Sequence, residues 1–144
     1  MGCKEIRIIS PRAVMLPRVR SADKKIYLNM NSYGNTNTFT NNSAKKAYKE
    51  LIMPQIEGVE IQTPVEITYQ IFKPTNRKLD KMNTIAVVSK YLLDAITEAG
   101  CWSDDSDEFI KTETLLPTVY DKNNGRVEIL IKSITVNGPI RTNS

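Results

Sequence analysis

The stretch from Arg77 to Glu108, RKLDKMNTIAVVSKYLLDAITEAGCWSDDSDE, constrains the fold of this chain more than any other. At the helical period Ile85, Val88, Leu92, Ile96 and Ala99 fall on one face, and Asp80, Asn83, Lys90 and Asp94 fall on the opposite one. The spacing predicts a helix with a core side and a polar side. Gly100 stands where a helix terminator belongs, and Trp102 and Ser103 then lead into the acidic turn Asp104, Asp105, Asp107 and Glu108. Two acidic sites, Asp80 at the start of the helix and Asp104/Asp105 after its end, are what the stretch offers to chemistry.

A chain of 144 residues, 40% of them hydrophobic, fits one domain with a real core and leaves little room for a second. The expectation is a single α/β unit over residues 1–136, a mixed β-sheet packed against two main helices, with a polar loop at 29–43 and a flexible C-terminal tail at 137–144. The sequence has no long apolar run and starts with a strand-like IRII segment, so no membrane partner and a cytoplasmic location are expected. Cys3 and Cys101 lack metal-ligand or redox spacing, and the absence of histidine removes the usual zinc ligand and near-neutral base. Chemistry must then rest on carboxylates, hydroxyls, lysine or a hard metal.

In chain order, Glu5 to Ile9 reads as a strand with Arg7 on its wet face. Residues Ser10 to Asp23, with two prolines, read as an irregular or hairpin connection, and Lys25 to Met30 as a short strand. The segment NMNSYGNTNTFTNNS has no core periodicity and reads as a long loop, either a solvated connector or a set of phosphate and base contacts through its amides, hydroxyls and Tyr33. Ser43 is the expected cap of a helix running to Met53 and stopped near Pro54, with Lys45, Lys46 and Lys49 on its outer side. Val65 to Lys73 alternates as a sheet strand leading to the central helix. Phe109 to Leu116 and Arg126 to Ile134 read as two further strands, joined as a hairpin through the KNNG turn at Lys122 to Gly125.

The formal charge of +4 is a weak pointer to a polyanion, but its distribution says more. Basic residues load the chain from Lys4 to Lys81, among them Arg18, Arg20, Lys45, Lys46, Arg77 and Lys78, and the balance turns acidic between Asp104 and Glu108. A positive surface around a small acidic centre suits a metal-dependent enzyme on nucleic acid; it also suits an ordinary solvated surface. Asp80, Asp104 and Asp105 are the candidate ligands of magnesium or manganese. About sixteen residues of helix span roughly 24 Å, so they meet only if the chain after Gly100 folds back or a partner subunit brings the second set across. The structural alternatives are an N-cap for Asp80 and a solvated turn for Asp104 and Asp105.

The run DKMN at Asp80 to Asn83, SKYLLDAITEAG at Ser89 to Gly100 and WSDD at Trp102 to Asp105 resembles the RusA-type Holliday junction resolvases, chiefly of phages and prophages. The resemblance extends from about Leu28 to Ile134. It implies a small RusA-like α/β homodimer, in a bacterial host cell, that binds four-way DNA junctions and cuts symmetrically paired strands with magnesium or manganese. On that resemblance Asp80 and Asp105 are metal ligands, and Asp104 is a third or orients water. Lys90 stabilises a phosphate oxygen or leaving group, or else pairs with Asp94, and Asn83 positions water or caps the helix. Arg18, Arg20, Asn31, Tyr33, Lys45, Lys46, Arg77, Lys78 and Lys81 make up the expected DNA contacts, while Trp102 and Phe109 are expected in the core or a dimer contact. Two positions depart from the family pattern: Lys78 and Ser89 stand where family members carry acidic residues. They keep open a non-catalytic or inhibitory protein that binds branched DNA. A nuclease acting on flaps or single strands is the other alternative.

Overall fold

The computed structural model describes residues 2–3, 5–103, 106–134 and 140–141. Its centre is β6 (Val65–Lys73), whose Val65, Ile67, Tyr69 and Ile71 are all essentially buried. On one side β6 pairs antiparallel with β9 (Arg126–Ser133), which pairs in turn with β2 (Glu5–Ser10). On the other side it pairs parallel with β7 (Ile110–Leu115) and then with the short β8 (Val119–Tyr120). A parallel neighbour needs a crossover, and α3 (Lys81–Glu98) is that crossover. The helix α2 (Thr38–Ile56) packs beside α3, and together they bury the apolar face of this mixed five-stranded sheet, an α/β architecture with two main helices.

The expected hairpin between the last two strands does not form. β7 and β9 flank β6 on opposite edges, and the turn at 121–125 instead joins β8 to β9. Arg126 clamps that turn, donating to Asp121 Oδ2 at 2.8 Å and to the Asn124 carbonyl at 2.9 Å, while its guanidinium lies 3.9 Å above the Phe72 ring. The Arg126 hydrogen bond holds the Asp121 carboxyl below its ordinary range. Gly125 packs on Pro74 so closely that an added Cβ would stand 2.8 Å from the ring Cδ. Gly125→Ala is therefore expected to cost about 1–3 kcal/mol by overpacking, read from urea denaturation.

The polar segment at 29–43 is mostly helical. Asn29 caps α1 (Met30–Gly34) by accepting from Ser32 N at 2.8 Å, and Asn37, not Ser43, caps α2 by accepting from Thr40 N at 2.8 Å. Asn41 Nδ2 ties the two together through the Tyr33 carbonyl at 2.9 Å. The first buried residue of α2 is Ala44, so its opening turns carry no hydrophobic period to read. Pro54 does not end the helix, because Ile52 and Ile56 on either side of it are fully buried and hold the last turn in place.

The proline-containing connection after β2 is a hairpin of β3 (Ala13–Leu16) and β4 (Lys24–Tyr27), shorter than the strand expected to reach Met30. A third small sheet joins β1 (Gly2–Cys3) and β5 (Glu60–Ile61) to β10 (Ile140–Arg141). This corrects the expected tail at Ile140–Arg141, where Ile140 is completely buried; residues 137–139 and 142–144 lie outside the described residues. Cys101 is also a core residue, donating its thiol to the Ile56 carbonyl, and burial pushes that thiol up. Among the described residues no helix is long and apolar enough to cross a membrane.

Candidate nucleic-acid interface

The β3–β4 hairpin stands apart from the connection between β6 and α3, and the gap between them is a cleft of about 740 Å³. Arg12, Lys25 and Tyr27 line it from the hairpin, Lys73, Arg77 and Lys78 from the connection, and Gly125 from the turn below. Five of the lining side chains are cationic and none is acidic. Lys73 Nζ donates to the Arg77 carbonyl at 3.0 Å, which braces the connection. Burial lowers the Arg12 guanidinium from its ordinary value, and its Nε is shielded from solvent without a hydrogen-bond partner. Such a surface favours an anion on charge.

Asp80 follows Arg77, Lys78 and Leu79 out of this cleft. It is exposed and caps α3, its Oδ1 accepting from Asn83 N at 3.3 Å. The structural alternative for Asp80 is thus realised, and Asn83 joins the cap through its backbone. Lys81 begins the helix on its first turn and is partly exposed. Lys90 is exposed but stands ten residues along, about 15 Å of helical rise from Asp80.

Asp104 and Asp105 lie outside the described residues. Their described surroundings are at the far end of α3, where Trp102 Nε1 donates to Thr97 Oγ1 at 2.6 Å and the Trp102 and Phe109 rings meet at 6.4 Å. Phe109 continues into β7 beside the first residue of β6, whereas Asp80 follows the last. Both aromatic rings sit in or against the core and present no stacking platform. Among the described residues no three carboxylates or thiols gather into one cluster. Asp80 contributes one carboxylate.

None of the four residues on the expected polar side of α3 is buried, and beside them the helix meets α1 and α2. Tyr91 packs there against Tyr33 and Tyr48, with ring centroids 6.5 and 5.8 Å away, and Tyr33 is partly buried by that contact. Asp94 pairs with Lys45 at 2.7 Å and not with Lys90, and Glu98 pairs with Lys49 at 2.8 Å. Lys45 is therefore neutralised within the protein, while Lys46 and Asn31 are exposed, as are Arg18 and Arg20 beyond the end of β3. The hydrogen bond to Asp94 raises the Lys45 pKa, so its stabilisation is fully present below the ordinary lysine value and is lost as pH rises through the raised one. Lys45→Met is expected to cost about 0.5–1 kcal/mol near neutral pH, because solvent screens the pair. The difference from wild type should vanish in alkaline urea titrations.

Two groups were not singled out in the sequence reading, although Arg12, Lys25 and Lys73 belong to the basic run from Lys4 to Lys81. Lys25 and Tyr27 alternate on one face of β4 and so share the cleft, a signal visible in the KKIY pattern; the involvement of Arg12 and Lys73 depends on the hairpin's placement. The second group is Glu113 on β7, which accepts from Tyr69 OH at 2.6 Å and from Ser89 Oγ at 3.2 Å. Burial, then the bond to Glu113, raises the Tyr69 phenol far above its ordinary value and keeps it a donor. A carboxylate thus reaches the position before Lys90 from another strand. Compared with known proteins, the chain matches no family model and no curated protein.

Proposed function

We propose that this protein binds branched DNA and acts as a metal-dependent endodeoxyribonuclease on four-way junctions, cutting paired strands as a homodimer. The observation that carries this reading is the all-basic cleft opening directly beside the exposed Asp80. Arg12, Lys25 and Lys78 hold strand phosphates there without reading sequence, and Asp80 contributes a carboxylate toward magnesium or manganese. Asp104 and Asp105, outside the described residues, are the proposed further carboxylates, supplied by the same chain or by a second copy. Two-fold symmetry would give each half of a junction one such set.

The exposed Lys78, a cation beside Asp80 where the resemblance calls for an acidic residue, favours a second reading, a non-catalytic protein that binds branched DNA. One experiment divides them. A labelled mobile junction is incubated with the purified protein in magnesium, in manganese and in EDTA. Paired symmetric nicks in either metal and none in EDTA are expected for the nuclease. Salt-sensitive junction binding without cleavage in either metal would leave the binding protein, and no junction binding would reject both.

A further inference from the structure

We propose that the basic cleft seats one nucleotide unit of an unpaired DNA strand, with its phosphate on Arg12, Lys25 and Lys78 and its base on the open face of Tyr27. The inference rests on the nucleic-acid reading of the cleft and requires no cleavage. Four observations carry it. The volume of about 740 Å³ lies in the range of small-ligand sites. Arg12 lines the cleft, and the forked donors of a guanidinium are matched by the paired oxygens of a phosphate. Tyr27 is 51% exposed on a strand, a large ring left open where most aromatic residues of this chain pack inward. Lys25 Nζ lies 4.9 Å from the centre of that ring, so the cation holds one face and the other is left for a base.

The arrangement combines the two elements that unpaired strands require, cations that follow the phosphates and an aromatic face that accepts any base. A duplex offers no free base face, so the seat selects strand ends and unpaired positions such as those at the centre of a branched substrate. The walls come from separate elements, the hairpin on one side and the β6–α3 connection on the other, which lets a strand pass between them.

The test uses the full chain in EDTA, with binding of fluorescent oligo(dT) followed by anisotropy and amide shifts followed by NMR. Oligo(dT) is expected to shift the amides of Arg12, Lys25, Tyr27 and Lys78, and to bind more tightly than dTMP or inorganic phosphate. Tyr27→Ala should weaken oligo(dT) by about tenfold, the scale of one lost base stack, and Tyr27→Phe should restore it. Lys25→Gln should lower the salt-dependence slope by about 1, while Lys132→Gln, at the opposite end of the sheet, should not. Equal losses at Lys25 and Lys132, or no loss at Tyr27, would overturn the seat. Oligo(dT) binding no tighter than dTMP would overturn it in favour of a free nucleotide. Junction binding untouched by the Tyr27 and Lys25 variants would sink the seat and keep the DNA reading. Cleft shifts and variant effects with oligo(dT), but no junction cleavage, would support the seat and sink the nuclease.

Discussion

Asp80→Asn is expected to abolish metal-dependent junction cleavage while leaving the fold intact. Asparagine caps a helix as well as aspartate does, so the bond from Asn83 N to the residue 80 side chain survives the change. The carboxylate charge needed by a divalent cation does not survive it. Loss of partners outside the immediate ligand set already costs metal sites about 10- to 100-fold, so loss of a direct ligand should exceed a hundredfold in cleavage rate. Junction binding in EDTA should change little or tighten, because one negative charge leaves the edge of a basic cleft. Asp80→Ala separates the two roles: it should also lose about 1 kcal/mol of stability through the missing cap. If Asp80→Asn cleaved at the wild-type rate, Asp80 would be a cap alone.

Ile140→Ala is expected to lower stability by about 2–5 kcal/mol, the scale for truncating a buried aliphatic side chain. The side chain is wholly buried, and the strand carrying it is hydrogen-bonded on both edges, to β1 and to β5. Urea denaturation with Ile134→Ala as control makes the comparison, since Ile134 is 46% exposed and should cost under about 0.5 kcal/mol. Equal small effects at both positions would mean that residues 140–141 do not belong to the fold.

Strong local periodicity made the main elements legible. Val65 to Lys73 alternates cleanly because β6 has one face on the core, and Ile85, Val88, Leu92 and Ile96 mark α3 because the sheet lies beneath them. Gly100, at φ +77°, ends that helix as its position in the sequence suggests. The start of α2 was not legible, since its first turns are held by Asn37 and by Asn41 reaching back to Tyr33, polar contacts that leave no period. The partner of Asp94 was not legible either: Lys45 arrives from another helix, where the sequence offered Lys90.

The candidate site divides in the same way. Residue types and charge distribution marked Arg77, Lys78 and Asp80, because adjacent residues stay together however the chain folds. Arg12, Lys25, Tyr27 and Lys73 come to the same cleft only because the hairpin stands opposite the β6–α3 connection. Glu113 reaches Ser89 and Tyr69 only because β7 lies parallel to β6, a pairing that the α3 crossover makes possible. The sequence by itself determined where β2, β6, β7, β9 and the central helix lie and which sign of charge gathers before Asp80, for these follow from neighbours along the chain. Strand order, the partners of Lys45 and Glu113 and the burial of Ile140 were decided only by the tertiary structure, because they depend on residues tens of positions apart meeting across a shared core.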